Sequence, residues 1–116
     1  MIAFVRSFLY AFRGIWLLIR TQRNAKVHAL AVLVVVVAGV WLDISRVEWL
    51  IVTVMCTLVL ALEAVNTAIE AVVDLASPQY HELAKRAKDV AAGAVLIAAI
   101  GALIVAALIV GAHVAR

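Results

Sequence analysis

An uncharged stretch near the carboxyl end runs from Val90 to Ala112, with the sequence VAAGAVLIAAIGALIVAALIVGA. Its length exceeds the roughly 20 apolar residues that a helix needs to cross a bilayer. Two further apolar segments precede it: one is interrupted only by His28, and the other begins near Trp49. Backbone polar groups in lipid must be satisfied within their own segment, so helices are expected even where valines cluster. The sequence therefore predicts an all-α membrane protein with spans at about 26–43, 48–76 and 88–113.

The composition excludes a soluble monomeric fold. The chain has 116 residues, of which 68% are hydrophobic and 15% charged, with a formal net charge of +3. So short a chain would leave apolar surface facing water, and it has room for one domain, residues 1–116, without a separate soluble module. The five glycines are too scattered for a phosphate-binding loop, and the lone Cys56 excludes intramolecular disulfides and thiolate metal clusters. No nucleic-acid partner is expected.

The amino-terminal segment, about residues 3–21, is predicted to form an amphipathic helix at the membrane surface. Arg6, Arg13 and Arg20 are spaced by seven residues, close to two helical turns, and so form one basic stripe with apolar residues around the rest. A secretory signal is the alternative interpretation. Arg13 argues against it, because it interrupts the apolar core that such a signal needs, and no convincing cleavage site follows.

The distribution of basic residues predicts the orientation in the membrane. Eight Lys and Arg residues lie in the amino-terminal segment and the 79–89 loop, against two, Arg46 and Arg116, on the other side. The positive-inside rule then places the N-terminus and the 79–89 loop in the cytoplasm of a multi-pass membrane protein. Trp41 and Trp49 bracket the first loop, as expected of an interfacial aromatic belt.

Small residues in the third span predict close helix packing. They recur every four residues and form a smooth stripe: Ala94, Ala98, Ala102 and Ala106. Because three thin helices enclose little space, we expect a homo-oligomer. The alternative is that alanine merely fills the helix, since small residues are common in spanning helices.

A polar stripe marks the end of the second span. On a helix advancing about 100° per residue, its members share one narrow face. They are Glu63, Asn66, Thr67, Glu70 and Asp74. A charged side chain in the hydrocarbon costs roughly 2.5–3.5 kcal/mol on insertion scales, so function is the default interpretation. The structural alternative is hydrogen bonding between helices, although a second carboxylate on the same face adds cost without strengthening that bonding.

Two carboxylates at different depths fit either a general base with a metal ligand or a cation pathway. Glu63 is the deeper one, whereas Glu70 is nearer the aqueous boundary, where Mg²⁺ and phosphates are available. The basic residues that follow could hold an anionic ligand or simply anchor the loop. These are Lys85, Arg86 and Lys88. The three histidines do not have the spacing of a zinc site.

Two motifs extend this pattern. Glu63 to Asp74 reads EAVNTAIEAVVD, and Ser77 to Val95 reads SPQYHELAKRAKDVAAGAV. Together with YAFRGI from Tyr10 and the Arg23-Asn24 pair before His28, they resemble the prokaryotic diacylglycerol kinase family over nearly the whole chain. The resemblance implies a homotrimeric inner-membrane enzyme with an N-terminal surface helix and three spans. It also implies that ATP donates its γ-phosphate to the hydroxyl of a membrane lipid.

The resemblance also implies a role for each matching position. Glu63 would be the catalytic base that activates the lipid hydroxyl, with Asn66 beside it as a second catalytic residue, and Glu70 would be a Mg²⁺ ligand. The implied ATP-binding residues are Tyr10, Gln22, Glu70, Gln79, Tyr80, His81, Lys88 and Asp89. The implied lipid-binding residues are Arg13, Trp41 and Glu63.

One position departs from the family pattern. Between Arg20 and Arg23 the family generally has a glutamate that helps Glu70 hold the metal, whereas this chain has Gln22. An amide oxygen can coordinate Mg²⁺ but brings no charge, so metal affinity should fall. Three explanations stay open: a tolerated variant, an engineered or impaired protein, or a metal carboxylate recruited from elsewhere, such as Glu82.

The choice of lipid and two rival functions complete the interpretation. The segments TQRN, SPQYH and AGAV are closer to the undecaprenol kinase branch than to the diacylglycerol branch, a preference that rests on resemblance alone.

A small cation-coupled transporter is disfavoured, because the rest of the second span offers only two threonines and a cysteine, and the third span offers no polar path. A non-catalytic helix-packing subunit would explain the alanines but leaves Glu70 and Asp74 without a use.

Overall fold

The computed structural model describes residues 1–115 and consists of four α-helices, with no strand in that range. They are α1 (Ile2–Thr21), α2 (Arg23–Leu42), α3 (Arg46–Ala76) and α4 (Glu82–Val114). All four are long and apolar enough to cross a membrane, by length and composition. This includes α1, so its placement on the membrane surface stays a prediction. Arg116, which was counted for the outer side, lies outside the described residues.

The chain passes from α1 to α2 through a single residue. Gln22 has an extended backbone (φ −99°, ψ 119°), and its N–H donates to the Leu18 carbonyl at 2.9 Å, which ends α1. Along α1 no residue is buried, because this helix contacts only parts of α2 and α3. The one-residue break thus fixes Gln22 at the corner between α1 and the rest of the molecule.

The turn between α2 and α3 is fixed by local hydrogen bonds. Asp43 adopts the left-handed conformation (φ 53°), which aspartate tolerates better than most residues. The Ser45 side chain accepts from the Glu48 N–H at 3.1 Å, and the Glu48 carboxylate accepts from the Ser45 N–H at 2.8 Å. This capping box starts α3. Beyond the turn, the Trp49 ring packs so closely on Gly39 that a Cβ there would lie 2.6 Å from a ring carbon.

The best-packed pair of helices is α3 and α4. Its buried apolar residues are Val52 and Val59 on α3 and Ala91, Val95 and Ala98 on α4. The alanine stripe of α4 therefore serves packing within the chain, with Ala98 buried and the three other alanines partly covered. Two side-chain pairs join the ends of this hairpin, Lys88 to Asp74 at 2.6 Å and His113 to Glu48 at 2.8 Å.

The polar segment expected to be a loop over 79–89 is helical from Glu82 onward. His81 caps α4, since its Nδ1 accepts from the Leu83 N–H at 3.0 Å. Within the first turns, Lys85 pairs with Asp89 at 2.6 Å and Arg86 with Glu82 at 3.8 Å. Oppositely charged residues four apart stabilise a helix without adding hydropathy, so α4 begins before the apolar segment does, and the predicted span at about 88–113 lies within it.

The four helices form a thin body with extents of 55 × 42 × 20 Å. Only seven hydrophobic residues are buried among residues 1–115, and large apolar side chains are exposed on every helix. A surface of this kind requires lipid, further copies of the chain, or both. The fold thus supports a membrane protein, while the homotrimer stays a prediction.

Candidate active site

Two polar residues are buried within the described chain, and both belong to the polar stripe of α3. Glu63 is 2% exposed and Asn66 is 6% exposed. They lie on one face because α3 continues through them without a break. Thr67 takes no part in polar contacts with other helices, since its hydroxyl donates to the Glu63 carbonyl of its own helix at 3.0 Å.

Asn66 links the deep and the shallow ends of the stripe. Its Nδ2 donates to the Glu70 carboxylate at 3.1 Å. Its Oδ1 is buried and has no hydrogen-bond partner within residues 1–115. Leaving a buried acceptor without a donor costs free energy, and such groups are rare in folded proteins. The free oxygen therefore points to a donor that the chain itself does not supply.

Glu63 has one polar neighbour on another helix. The His28 Nε2 of α2 lies 3.6 Å from the Glu63 Oε2, and the two side chains are 22% and 3% exposed. Sequence spacing assigned no role to His28. The only available signal was a polar residue within an otherwise apolar segment, and that signal does not reveal which side chain it faces.

The length of α3 gives the relative depth of the carboxylates. Trp49 and Glu63 are separated by about 21 Å along the helix, and Trp49 and Glu70 by about 31 Å, at about 1.5 Å per residue. The hydrocarbon core is about 30 Å thick. If Trp49 lies at one interface and α3 runs along the bilayer normal, Glu63 would lie inside the hydrocarbon, roughly 9 Å from its other boundary, and Glu70 would lie at that boundary.

A polar cavity of about 280 Å³ lies where α3 ends and α4 begins. It gathers five of the eight residues implied for ATP binding, namely Gln79, Tyr80, His81, Lys88 and Asp89. The cationic Nζ of Lys88 is 2.6 Å from Asp74, which also lines the cavity. To bind a phosphate here, Lys88 would have to exchange a carboxylate for the phosphate.

The other predicted site residues lie apart from this group. Gln22 lines a mainly apolar cavity of about 560 Å³ between α1 and α3, next to Thr67. Tyr10 and Arg13 are exposed on α1, with the guanidinium 5.8 Å from the phenol ring. Trp41 is exposed near the end of α2, about 20 Å along that helix from His28. A single chain therefore assembles only part of the predicted site.

The donor set restricts how a metal could bind. Within residues 1–115 no three His, Cys, Asp or Glu side chains are grouped closely enough to hold a metal ion. Mg²⁺ in phosphoryl-transfer sites usually takes one or two carboxylates, with water and substrate phosphates completing the shell. Glu70, with or without the Gln22 amide, therefore fits Mg²⁺ that arrives together with a nucleotide.

The family model and the related proteins that match this sequence are all lipid kinases. The family model described as prokaryotic diacylglycerol kinase matches residues 9–110. The undecaprenol kinase of Bacillus subtilis (strain 168) is 44% identical over 106 residues, which cover 91% of this chain and 86% of that protein. The diacylglycerol kinase of Synechocystis sp. is 47% identical over 100 residues, 85% of this chain and 57% of that protein. The diacylglycerol kinase of Escherichia coli (strain K12) is 36% identical over 104 residues, 90% of this chain and 85% of that protein. This chain belongs to the prokaryotic diacylglycerol kinase family and is a lipid kinase.

Proposed function

We propose that the protein transfers the γ-phosphoryl group of ATP, bound with Mg²⁺, to the hydroxyl of undecaprenol or diacylglycerol at the cytoplasmic face of the inner membrane. One observation carries the proposal. A single face of α3 presents a buried carboxylate, Glu63, a buried amide with a free acceptor, Asn66, and a partly buried carboxylate, Glu70. A lipid hydroxyl approaches from the apolar side and a nucleotide from the aqueous side.

Glu63 acts as the general base in this proposal. Its carboxylate takes the proton from the lipid hydroxyl, whose oxygen bonds to the γ-phosphorus while the bond from phosphorus to the β,γ-bridging oxygen breaks and ADP leaves. Asn66 holds Glu70 through its Nδ2, and its free Oδ1 can accept a hydrogen bond from a substrate hydroxyl or a water. Phosphoryl transfer depends mainly on positioning and charge neutralisation, so no phosphate-binding loop is needed.

The phosphates are placed at the aqueous end of the stripe. Glu70, with Gln22 as a neutral second donor, would hold the Mg²⁺, which supplies charge neutralisation when it is bound. Lys88 would turn from Asp74 toward the phosphates. The remaining nucleotide contacts are proposed for Tyr10, Gln79, Tyr80, His81 and Asp89, and lipid contacts for Arg13 and Trp41.

A homotrimer would complete the site. The side chains of Tyr10, Arg13 and Trp41 are exposed within one chain, and the thin body leaves wide apolar faces for neighbouring copies. If the site is shared between copies, these residues of one copy would contact the polar stripe on α3 of a neighbouring copy.

The assay that tests the proposal follows lipid phosphorylation by purified protein in bilayers, with labelled ATP and Mg²⁺, and with undecaprenol and diacylglycerol offered separately. We expect a lipid phosphate from the wild type and a loss of more than about a hundredfold in Glu63→Gln, since a general base contributes about 10²- to 10⁴-fold. The ratio of the two products ranks the lipids. If neither the wild type nor Gln22→Glu forms a lipid phosphate, the proposal is overturned in favour of a packing subunit or a transporter.

The Gln22→Glu variant tests the metal shell separately. Restoring a charged oxygen should lower the Mg²⁺ concentration for half-maximal activity, by roughly three- to tenfold. Ser7→Glu adds the same charge elsewhere on α1 and is the matched control. Equal shifts in both variants would show that only the net charge matters. Product from Gln22→Glu alone would mean that the site is present but the natural metal shell is incomplete.

A further inference from the structure

His28 is the one polar side chain that another helix brings to the buried carboxylate. Within residues 1–115, it is the only cationic or imidazole group within 4 Å of a Glu63 oxygen. Its ring also borders a cavity of about 200 Å³ between α2, α3 and α4, whose other lining residues are apolar except for Cys56. The imidazole therefore has Glu63 as its near polar neighbour and apolar walls elsewhere.

The distance between the two groups fits a contact that closes during the reaction. At 3.6 Å, Nε2 and Oε2 are too far apart for a hydrogen bond but need only a small rotation to make one. Hydrogen bonds of catalytic groups are often long without substrate and shorten when substrate binds. A buried carboxylate without a donor would otherwise be costly, and the ion pairs of Lys85, Arg86 and Lys88 are made with other carboxylates.

We propose that His28 is a positioning residue for Glu63. Its ring N–H at Nε2 donates to Oε2, which fixes the carboxylate and leaves Oε1 to take the proton of the lipid hydroxyl. This role rests on the proposed function, since it presumes that Glu63 is the base. It assigns the imidazole no contact with lipid, nucleotide or metal.

Substitutions of His28 test the role through kinetics. We expect His28→Ala to lower kcat roughly 10- to 100-fold while the KM values for lipid and MgATP change less than about threefold, because only the base is affected. His28→Gln keeps an N–H donor and should recover a large part of the lost kcat. Val32→Ala removes packing from the same cavity one turn further along α2 and should retain kcat within about threefold.

A loss of packing would give a different pattern. In that case Val32→Ala would fall together with His28→Ala, and the glutamine variant would recover nothing. Full kcat in His28→Ala, or a rise in KM alone, would overturn the positioning role while the wild type remains an active lipid kinase. An inactive wild type would instead reject the proposed function itself, so the two failures are distinguishable.

A spectroscopic measurement tests the contact without using activity. In protein labelled with ¹⁵N-histidine, the His28 ring signals, assigned by their loss in His28→Gln, should move in Glu63→Gln. They should stay in place in Asp74→Asn, which removes a carboxylate from the same helix eleven positions further on. Unchanged His28 signals in Glu63→Gln would overturn the proposal.

Discussion

Asn66 occupies the position between the two carboxylates of the stripe, and its two amide atoms have different surroundings. The nitrogen is bound to Glu70, and the oxygen has no partner within the described chain. A leucine, which also branches at Cγ, would remove both the bond to Glu70 and the unsatisfied acceptor. Because Glu70 is only partly buried, this exchange should change the free energy of unfolding by less than about 1 kcal/mol.

Activity should respond far more strongly than stability to this change. We expect Asn66→Leu to reduce kcat/KM for the lipid by roughly a hundredfold or more, because Glu70 loses its fixed position and the substrate loses an acceptor. Thr67→Val is the matched control: its hydroxyl bonds only to its own helix, so activity should stay within about threefold. Kinase assays and thermal unfolding of the two variants check this, and an active Asn66→Leu would remove Asn66 from the site.

The polar stripe itself could be predicted, because residues three and four apart must share a face of any helix. The neighbour of Glu63 could not. Which α2 residue meets it depends on how α2 packs on α3, and that packing is set by contacts such as Gly39 against Trp49. The roles assigned to Glu63, Asn66 and Glu70 stay predictions until the variants are measured.

Helices α2 and α3 pack closely where Gly39 of α2 meets the Trp49 ring of α3, and this contact leaves no room for a side chain at position 39. A Cβ on Gly39 would meet two Trp49 ring carbons at 2.6 and 2.9 Å. Since the ring is half-buried against this helix, Gly39→Ala should destabilise the protein by about 1–3 kcal/mol, the usual cost of overpacking.

A matched control is available on α4. A Cβ on Gly111 would meet nothing within 4 Å, so Gly111→Ala should be neutral or stabilising by up to about 1 kcal/mol through helix propensity. Unfolding of both variants in mixed micelles gives the comparison. Equal stability of the two would mean that Trp49 can move away from α2 without cost.

The boundaries of the helices show what hydropathy leaves out. Helix α4 begins before its apolar segment, because the charged first turns are held by pairs between residues four apart and by the His81 cap. The start of α3 carries a recognisable signal, since Ser45 and Glu48 have the spacing of a capping box. That signal could have placed the beginning of α3 more closely than the apolar run did.

The thin shape of the molecule leads to a prediction about several copies together. If the site is shared between neighbouring chains, mixtures of Glu63→Gln and Glu70→Gln chains should regain part of the wild-type activity, because some sites then receive both intact carboxylates. Each variant alone should be nearly inactive. Activity of the mixture, measured after joint refolding, checks this. A mixture no more active than its components would show that both carboxylates act from one chain.

The helical state of the three apolar segments could be predicted, because lipid leaves helices as the only solution for such segments. The arrangement of the helices could not, because most of their surfaces are equally apolar and select no unique partner face. The placement of α1 on the membrane surface rests on its basic stripe, while its length would also allow it to span. Its placement on the membrane surface therefore stays a prediction.

The two side-chain pairs at the ends of the α3 and α4 hairpin differ in their exposure to solvent. Lys88 and Asp74 are 40% and 65% exposed, whereas His113 and Glu48 are 6% and 19% exposed. Dissolved ions screen exposed charges strongly and sheltered ones weakly. Raising the ionic strength should therefore weaken the Lys88–Asp74 pair, at the end that carries the polar cavity, more than the His113–Glu48 pair at the opposite end. The two ends of the hairpin thus differ in their sensitivity to salt.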